Sequence, residues 1–160
     1  MMSLLTKEQA LQKLRQYCVY QERCHAEVID RLYHFGMKKP EVDEITAILI
    51  EENYLNEERF AIQFAGGRFR MKKWGRKKIQ YELKAKKLSD YCIKKALAQI
   101  SDEDYISTLQ ELAAKKWNDL RRENNLLTKM AKVRDFLLQK GYEADLILDQ
   151  LQELRKKPEK

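Results

Sequence analysis

Between Pro40 and Pro158 the chain contains no proline, and in 160 residues it has only five glycines. Proline ends or kinks a helix because it lacks a backbone donor and clashes with the preceding turn. A long central stretch is therefore free of obligatory breaks. Hydrophobic residues make up 44% and charged residues 36%, with Ala, Glu, Lys, Leu and Arg prominent and β-branched residues sparse. That combination supports a packed interior and an all-α fold, and leaves too little material for a sheet-based core.

The helix punctuation is legible along most of the chain. Thr6 can cap a first helix with Gln9 as its reciprocal partner, Leu5 and Ala10 sit at staple positions, and Ala10, Leu11, Leu14, Tyr17 and Cys18 form one stripe. A second helix carries Val28, Ile29, Leu32 and Phe35 and stops at Gly36; a third follows Pro40 through Val42, Ile45, Ile48 and Leu49 to about Tyr54. Asn56 opens a fourth, with Glu57 and Glu58 complementing the helix dipole, Leu55 and Phe60 as staple, and Ala61, Phe64 and Ala65 continuing inward. After Gly75 a fifth carries Ile79 and Leu83, and Ser89 starts a sixth with Ile93, Ala96, Leu97 and Ile100. Ser101 with Asp104 resembles a capping box before a seventh helix, whose core face is expected at Tyr105, Leu109, Leu112, Ala113, the stem of Lys116 and Leu120. The eighth is expected to use Leu126, Met130, Val133 and Leu137 and to end at Gly141; the ninth uses Ile147, Leu151 and Leu154 before Pro158.

Three segments superimpose: VIDRLYHFGM (28–37), IQYELKAKKL (79–88) and VRDFLLQKGY (133–142). Their shared columns are Val28/Ile79/Val133, Leu32/Leu83/Leu137 and Met37/Leu88/Tyr142. They continue as Val42/Ile93/Ile147, Thr46/Leu97/Leu151 and Leu49/Ile100/Leu154. The expected architecture is three tandem three-helix repeats, 1–55, 56–101 and 102–160, stacked into an elongated curved array because each repeat alone buries little.

Charge is concentrated in one place. Residues 68–87 hold ten Lys or Arg against one acid, Glu82; a local charge of +9 in a chain of +7 leaves −2 for the other 140 residues. Like charges at helical spacing repel and invite a compensating partner. The candidate polyanion-binding residues are Arg68, Arg70, Lys72, Lys73, Arg76, Lys77, Lys78 and Lys84. Phe69, Trp74 and Tyr81 are interleaved with them: Trp74 is expected to cap a core at an inter-helix turn, Tyr81 to point outward and Phe69 to pack. Charge reversal at Arg76, Lys77 and Lys78 is expected to weaken binding and leave the fold intact.

No catalytic constellation emerges. His25 and His34 lack a second cysteine at metal-ligand spacing beside Cys24, Glu51–Glu52 and Glu57–Glu58 have no accompanying histidine, and Gly66–Gly67 lacks a phosphate-loop context. We expect no enzyme, no cofactor and no metal. Cys18, Cys24 and Cys92 form neither a disulfide framework nor a zinc pattern and read as reduced thiols. With no secretory leader and no apolar run of membrane length, a cytoplasmic protein without membrane association is expected.

The run Tyr54-Leu55-Asn56-Glu57-Glu58-Arg59-Phe60-Ala61 resembles the junction signature of the RecX family. Arg68, Gly75, Ile79, Glu82 and Leu83 match that family's second-unit pattern, Phe136 through Tyr142 its last unit, and Ala10, Leu14, Glu27, Leu32 and Gly36 its first. Lys87 stands where the family usually has glycine, Glu57 replaces a more usual Asp, and Tyr142 a more usual Phe. The resemblance implies an all-helical regulator that binds the RecA filament on single-stranded DNA; that it acts as a monomer is our own expectation. It would modulate, mostly inhibit, the recombinase, ATPase and coprotease activities in DNA repair and the SOS response, with possible direct contact to DNA phosphates. A generic basic DNA-binding protein and a helical scaffold for an acidic protein partner remain alternatives.

Overall fold

A computed structural model describes residues 5–156. Among them are nine α-helices and no strand. They are α1 (Lys7–Tyr20), α2 (His25–His34), α3 (Lys39–Glu51), α4 (Glu57–Lys72), α5 (Arg76–Ala85), α6 (Asp90–Ala98), α7 (Asp102–Asp119), α8 (Leu126–Lys140) and α9 (Ala144–Lys156). The expected N-caps form, except that Ser101 and Asp104 make only the forward bond of their expected box. Thr6 Oγ1 accepts the Gln9 N–H at 3.1 Å while Gln9 Oε1 accepts the Thr6 N–H at 2.9 Å, and Asn56, Ser89 and Ser101 accept the N–H three residues on. Each satisfies a donor that the first helical turn leaves unpaired.

Packing gathers these helices into two compact units. One holds residues up to Phe64 together with Leu83–Ala96; the other holds Ala65–Glu82 together with residues from Leu97 onward. In the first unit Leu11, Leu14, Val28, Leu32, Val42, Ile45, Leu49 and Leu55 form the core, with Leu5 and Tyr17 against its edge. In the second, Ile79, Tyr105, Leu109, Val133, Leu137, Tyr142 and Ile147 are buried.

The repeated columns appear in backbone geometry as well as in burial. Gly36, Lys87 and Gly141 all adopt the left-handed conformation, with φ of 86°, 66° and 99°. The residue after each donates to the carbonyl five residues back: Met37 to Leu32 at 3.1 Å, Leu88 to Leu83 at 3.1 Å and Tyr142 to Leu137 at 3.2 Å. This is one helix-ending motif used three times. The column members Val28, Ile79 and Val133 are fully buried, as are Leu32, Leu83 and Leu137. The helix end at Lys87 thus keeps the glycine geometry without the glycine. A side chain in that region costs about 1–2 kcal/mol, so Lys87→Gly is expected to raise unfolding free energy by about 1 kcal/mol; a urea midpoint at or below the parent's would contradict this.

Several sequence expectations shift. α3 stops at Glu51 rather than Tyr54, because Asn53 turns left-handed at φ 65° and Tyr54 bonds back to Leu49. On α7 the inward residue of the last turns is Trp117, not Lys116 or Leu120. On α8 Lys129 is buried to 2% exposure while Leu126 is exposed, because the Lys129 ammonium lies 4.2 Å from the Trp117 ring. α4 runs through Gly66–Gly67. A Cβ at Gly66 would first meet the movable Arg70 guanidinium, and one at Gly67 would meet open space. Pro158 lies outside the described residues.

All three cysteines are free and buried. Burial raises the Cys18 thiol and pushes Cys24 up to about 11 from 9.0, and it also raises the Tyr105 and Tyr142 phenols. The unfolded chain therefore releases these protons at lower pH than the folded one, and stability falls as pH climbs from about 9 toward 11. For Cys24 alone the loss at pH 10 is about 1.4 kcal/mol. Thermal melts between pH 8 and 11 should show a falling midpoint, and a flat one would contradict the assignment.

A candidate polyanion-binding surface

The basic run folds into the end of α4, a short turn, the whole of α5 and the turn after it. Lys73 takes the left-handed conformation, φ 57°, and reverses the chain. The turn is then pinned to the α8–α9 turn by backbone. The Gly75 N–H donates to the Lys140 carbonyl at 2.7 Å and the Lys77 N–H to the Gly141 carbonyl at 2.9 Å. The Tyr142 hydroxyl donates to the Lys73 carbonyl at 2.8 Å, and Lys140 Nζ donates to the Lys72 carbonyl at 3.2 Å. A Cβ on Gly75 would lie 2.3 Å from the Gly141 carbonyl carbon, so glycine is needed here for close approach.

The eight candidate cations divide by role. Arg76 is taken up by the fold: its guanidinium bonds Asp102 at 2.7 Å and Glu143 at 3.0 Å and lies 3.8 Å from the centre of the Tyr105 ring. Tyr105 in turn donates its hydroxyl to Glu143 and accepts the Arg76 backbone N–H at 2.9 Å. Trp74 is half-buried, with Arg68 at 5.7 Å, Lys72 at 5.6 Å and Lys78 at 4.6 Å from its ring. It organises cations rather than offering an open face. Phe69 is buried against Tyr105, and Tyr81 is exposed. Arg70, Lys72, Lys73 and Lys77 stand in solvent. Lys84 is exposed too, but falls in the other compact unit.

Within the second unit, Lys72 and Lys73 border a groove of about 640 Å³ with three lysines absent from the sequence expectation, namely Lys115, Lys116 and Lys140. Leu112 and Phe136 give it an apolar floor, the exposed Met71 adds an apolar rim, and Glu111 and Asp119 are its acids. Lys116 and Lys140 reach over the Phe136 ring at 5.1 and 5.9 Å. The Lys115–Lys116 pair and the lysine before Gly141 were the available signals, hidden because they lie outside the charge run. Five cations around an apolar floor suit a polyanion that also carries flat or apolar groups.

Among the described residues no group of three or more His, Cys, Asp or Glu is arranged to hold a metal, and no helix is long and apolar enough to cross a membrane. One pairing escaped the sequence: His25 Nδ1 lies 3.1 Å from Glu57.

Residues 56–97 match the family model described as RecX, second three-helix domain, and residues 102–151 match RecX, third three-helix domain. The chain is 34% identical over 120 residues to the regulatory protein RecX of Clostridium perfringens strain 13, a match covering 74% of this chain. The chain belongs to the RecX family. Its RecX-type relatives also include that of Bacillus cereus strain AH820, 27% identical over 87% of this chain. The matched part spans 56% and 51% of those two relatives' lengths. The crystal structure of RecX from Lactobacillus salivarius superposes with a TM-score of 0.84 and 26% identity, covering 93% of this chain and 96% of that one. A second crystal structure, of a regulatory protein RecX, shares the fold at a TM-score of 0.82 and 19% identity.

In this RecX-family chain the junction signature has structural work in the first unit. Leu55, Phe60 and Ala61 are buried and Asn56 caps α4. Arg59 bonds Glu22 at 2.6 Å and the Asn53 carbonyl at 3.0 Å.

Proposed function

We propose that this chain is a non-catalytic cytoplasmic regulator that binds the RecA filament on single-stranded DNA and restrains its recombinase, ATPase and coprotease activities. It is organised as three-helix repeats at 1–55, 56–101 and 102–160. Family membership supports the regulatory role. The observation that carries the binding mode is the groove of the second unit, where Lys72, Lys73, Lys115, Lys116 and Lys140 surround Met71, Leu112 and Phe136. With Arg70 and Lys77 nearby in sequence and exposed, this surface can neutralise filament phosphates or acidic protein surface while its floor contacts apolar groups. Arg76 is left out of the binding set because its charge is matched inside the fold.

The test is a titration against preformed RecA–single-stranded DNA filaments, with ATPase as readout. The parent is expected to lower the rate to a plateau, and Lys73→Glu with Lys115→Glu to need at least about ten times more protein. Neutralising about five phosphates gives a log–log salt slope near −3.5 for a single strand. An unchanged ATPase at saturating protein rejects the reading. Naked DNA binding as tight and as salt-sensitive as filament binding favours the generic DNA-binding reading.

A further inference from the structure

Among its described residues the first unit contains a cation that no carboxylate pairs with. Its partly exposed arginines Arg15 and Arg59 pair with Glu52 and Glu22 at 2.6 Å. Arg23 is more deeply placed, only 9% exposed, yet among the described residues no Asp or Glu pairs with it. Its Nε donates to the Tyr17 carbonyl at 3.0 Å, and its guanidinium lies 3.7 Å from the centre of the Tyr17 ring. Arg31 comes to the same ring, at 4.6 Å, also without an acidic partner among the described residues. Because both distances run to one centroid, the two guanidinium carbons are at most 8.3 Å apart, the sum of 3.7 and 4.6 Å.

A ring face softens such a charge but does not neutralise it, and a buried unpaired cation is costly. Both guanidiniums border one groove, so an anion with several oxygens seated there could be bonded by both forks, as where Arg binds phosphate. Both line a groove of about 490 Å³ with Lys13, Tyr17, Tyr20 and Phe35, a set with three cations, three aromatic rings and no acid. Glu27, on the same helix as Arg31, is engaged with the Cys24 N–H at 3.1 Å. Tyr20 closes α1 with 82% of its surface exposed, 5.9 Å from the Arg23 guanidinium, and the fold gives it no packing role. That separation is of the order between a nucleotide's phosphate and its own base.

We propose that this α1–α2 face binds single-stranded nucleic acid, holding a phosphate between Arg23 and Arg31 and stacking a base on Tyr20. The aromatic faces beside the cations favour a nucleotide over an acidic peptide, because every base has a face to stack and carboxylates have none. The site is separate from the lysine groove of the second unit, and does not depend on that groove's role.

Fluorescence anisotropy of the full chain with a labelled oligothymidylate of about 15 nucleotides, and with an abasic strand of equal length, tests it. The parent is expected to prefer the oligothymidylate about tenfold. Tyr20→Ala should remove that preference, and Arg31→Gln should lessen the salt slope by about 0.7, one phosphate on a single strand. Arg23→Gln should weaken both strands; Tyr20→Ala, at an exposed position, keeps the test decisive if that variant does not fold. Equal binding of the abasic strand, unchanged binding by Tyr20→Ala, or polyglutamate competing as well as unlabelled oligothymidylate would each overturn the site. Filament ATPase is read on the same variants. Base-dependent binding with no ATPase response rejects the regulatory reading and keeps this site; the converse rejects this site alone.

Discussion

Gly141→Ala is expected to cost the second unit about 4 kcal/mol or more, enough to shift the urea midpoint far below the parent's. Two effects add. The residue sits at φ +99°, where a side chain is strained by about 1–3 kcal/mol. The new methyl would also lie 2.6 Å from the Lys78 backbone nitrogen and 2.4 Å from its Cβ, so backbone must move, and overpacking of that kind costs about 1–3 kcal/mol. Moving it breaks the bond from the Lys77 N–H to the Gly141 carbonyl. Gly67→Ala is the control. Its Cβ meets open space inside α4, so the substitution should stabilise by about 0.5–1 kcal/mol. A Gly141→Ala variant within 1 kcal/mol of the parent would refute the close crossing.

Arg76→Ala should be nearly as damaging, at about 3 kcal/mol. Arg76 and Glu143 are each about a quarter exposed, and Glu143 also receives the Tyr105 hydroxyl. Removing the guanidinium strands a carboxylate, uncovers the Tyr105 ring and leaves Asp102, which is almost fully exposed and contributes little, in water. Arg76→Lys should recover little, since an ammonium cannot bond two carboxylates and lie flat on a ring. Urea melts of Arg76→Ala, Glu143→Gln and the double variant should show strong coupling; simple additivity would sink the idea. This replaces the expectation that reversing Arg76, Lys77 and Lys78 together leaves the fold intact. Lys77 is the clean position for binding studies, because its side chain is exposed and has no partner among the described residues.

Local physics explains why the helices could be read in advance. Thr6 with Gln9, Asn56, Ser89 and Ser101 act within one turn of themselves, and apolar spacing reports the buried face without knowledge of the partner. The misread positions involve partners distant in sequence. Arg76 finds Asp102 and Glu143, 26 and 67 residues away, so a charge count places it among binding cations. Lys129 is an unexpected core position because lysine is rarely buried, and its ammonium packs over the Trp117 ring, which lies twelve residues back on another helix. The groove lysines Lys115, Lys116 and Lys140 come from two helices that meet the basic turn only after folding. In the first unit, Arg23 carried no signal at all, because a missing carboxylate cannot be seen in a sequence.

The shared helix-ending turn also bears on how this sequence can drift. Gly36, Lys87 and Gly141 occupy one repeat position and have one conformation, so a profile built on the repeat would score them alike. They are not alike under mutation. At 87 the backbone asks only for a left-handed residue, and lysine already meets that demand. At 141 a second chain segment passes within a methyl's reach, and no residue but glycine leaves room. In a saturation library, position 87 should therefore accept Asn, Gly and Lys, while position 141 should return glycine alone.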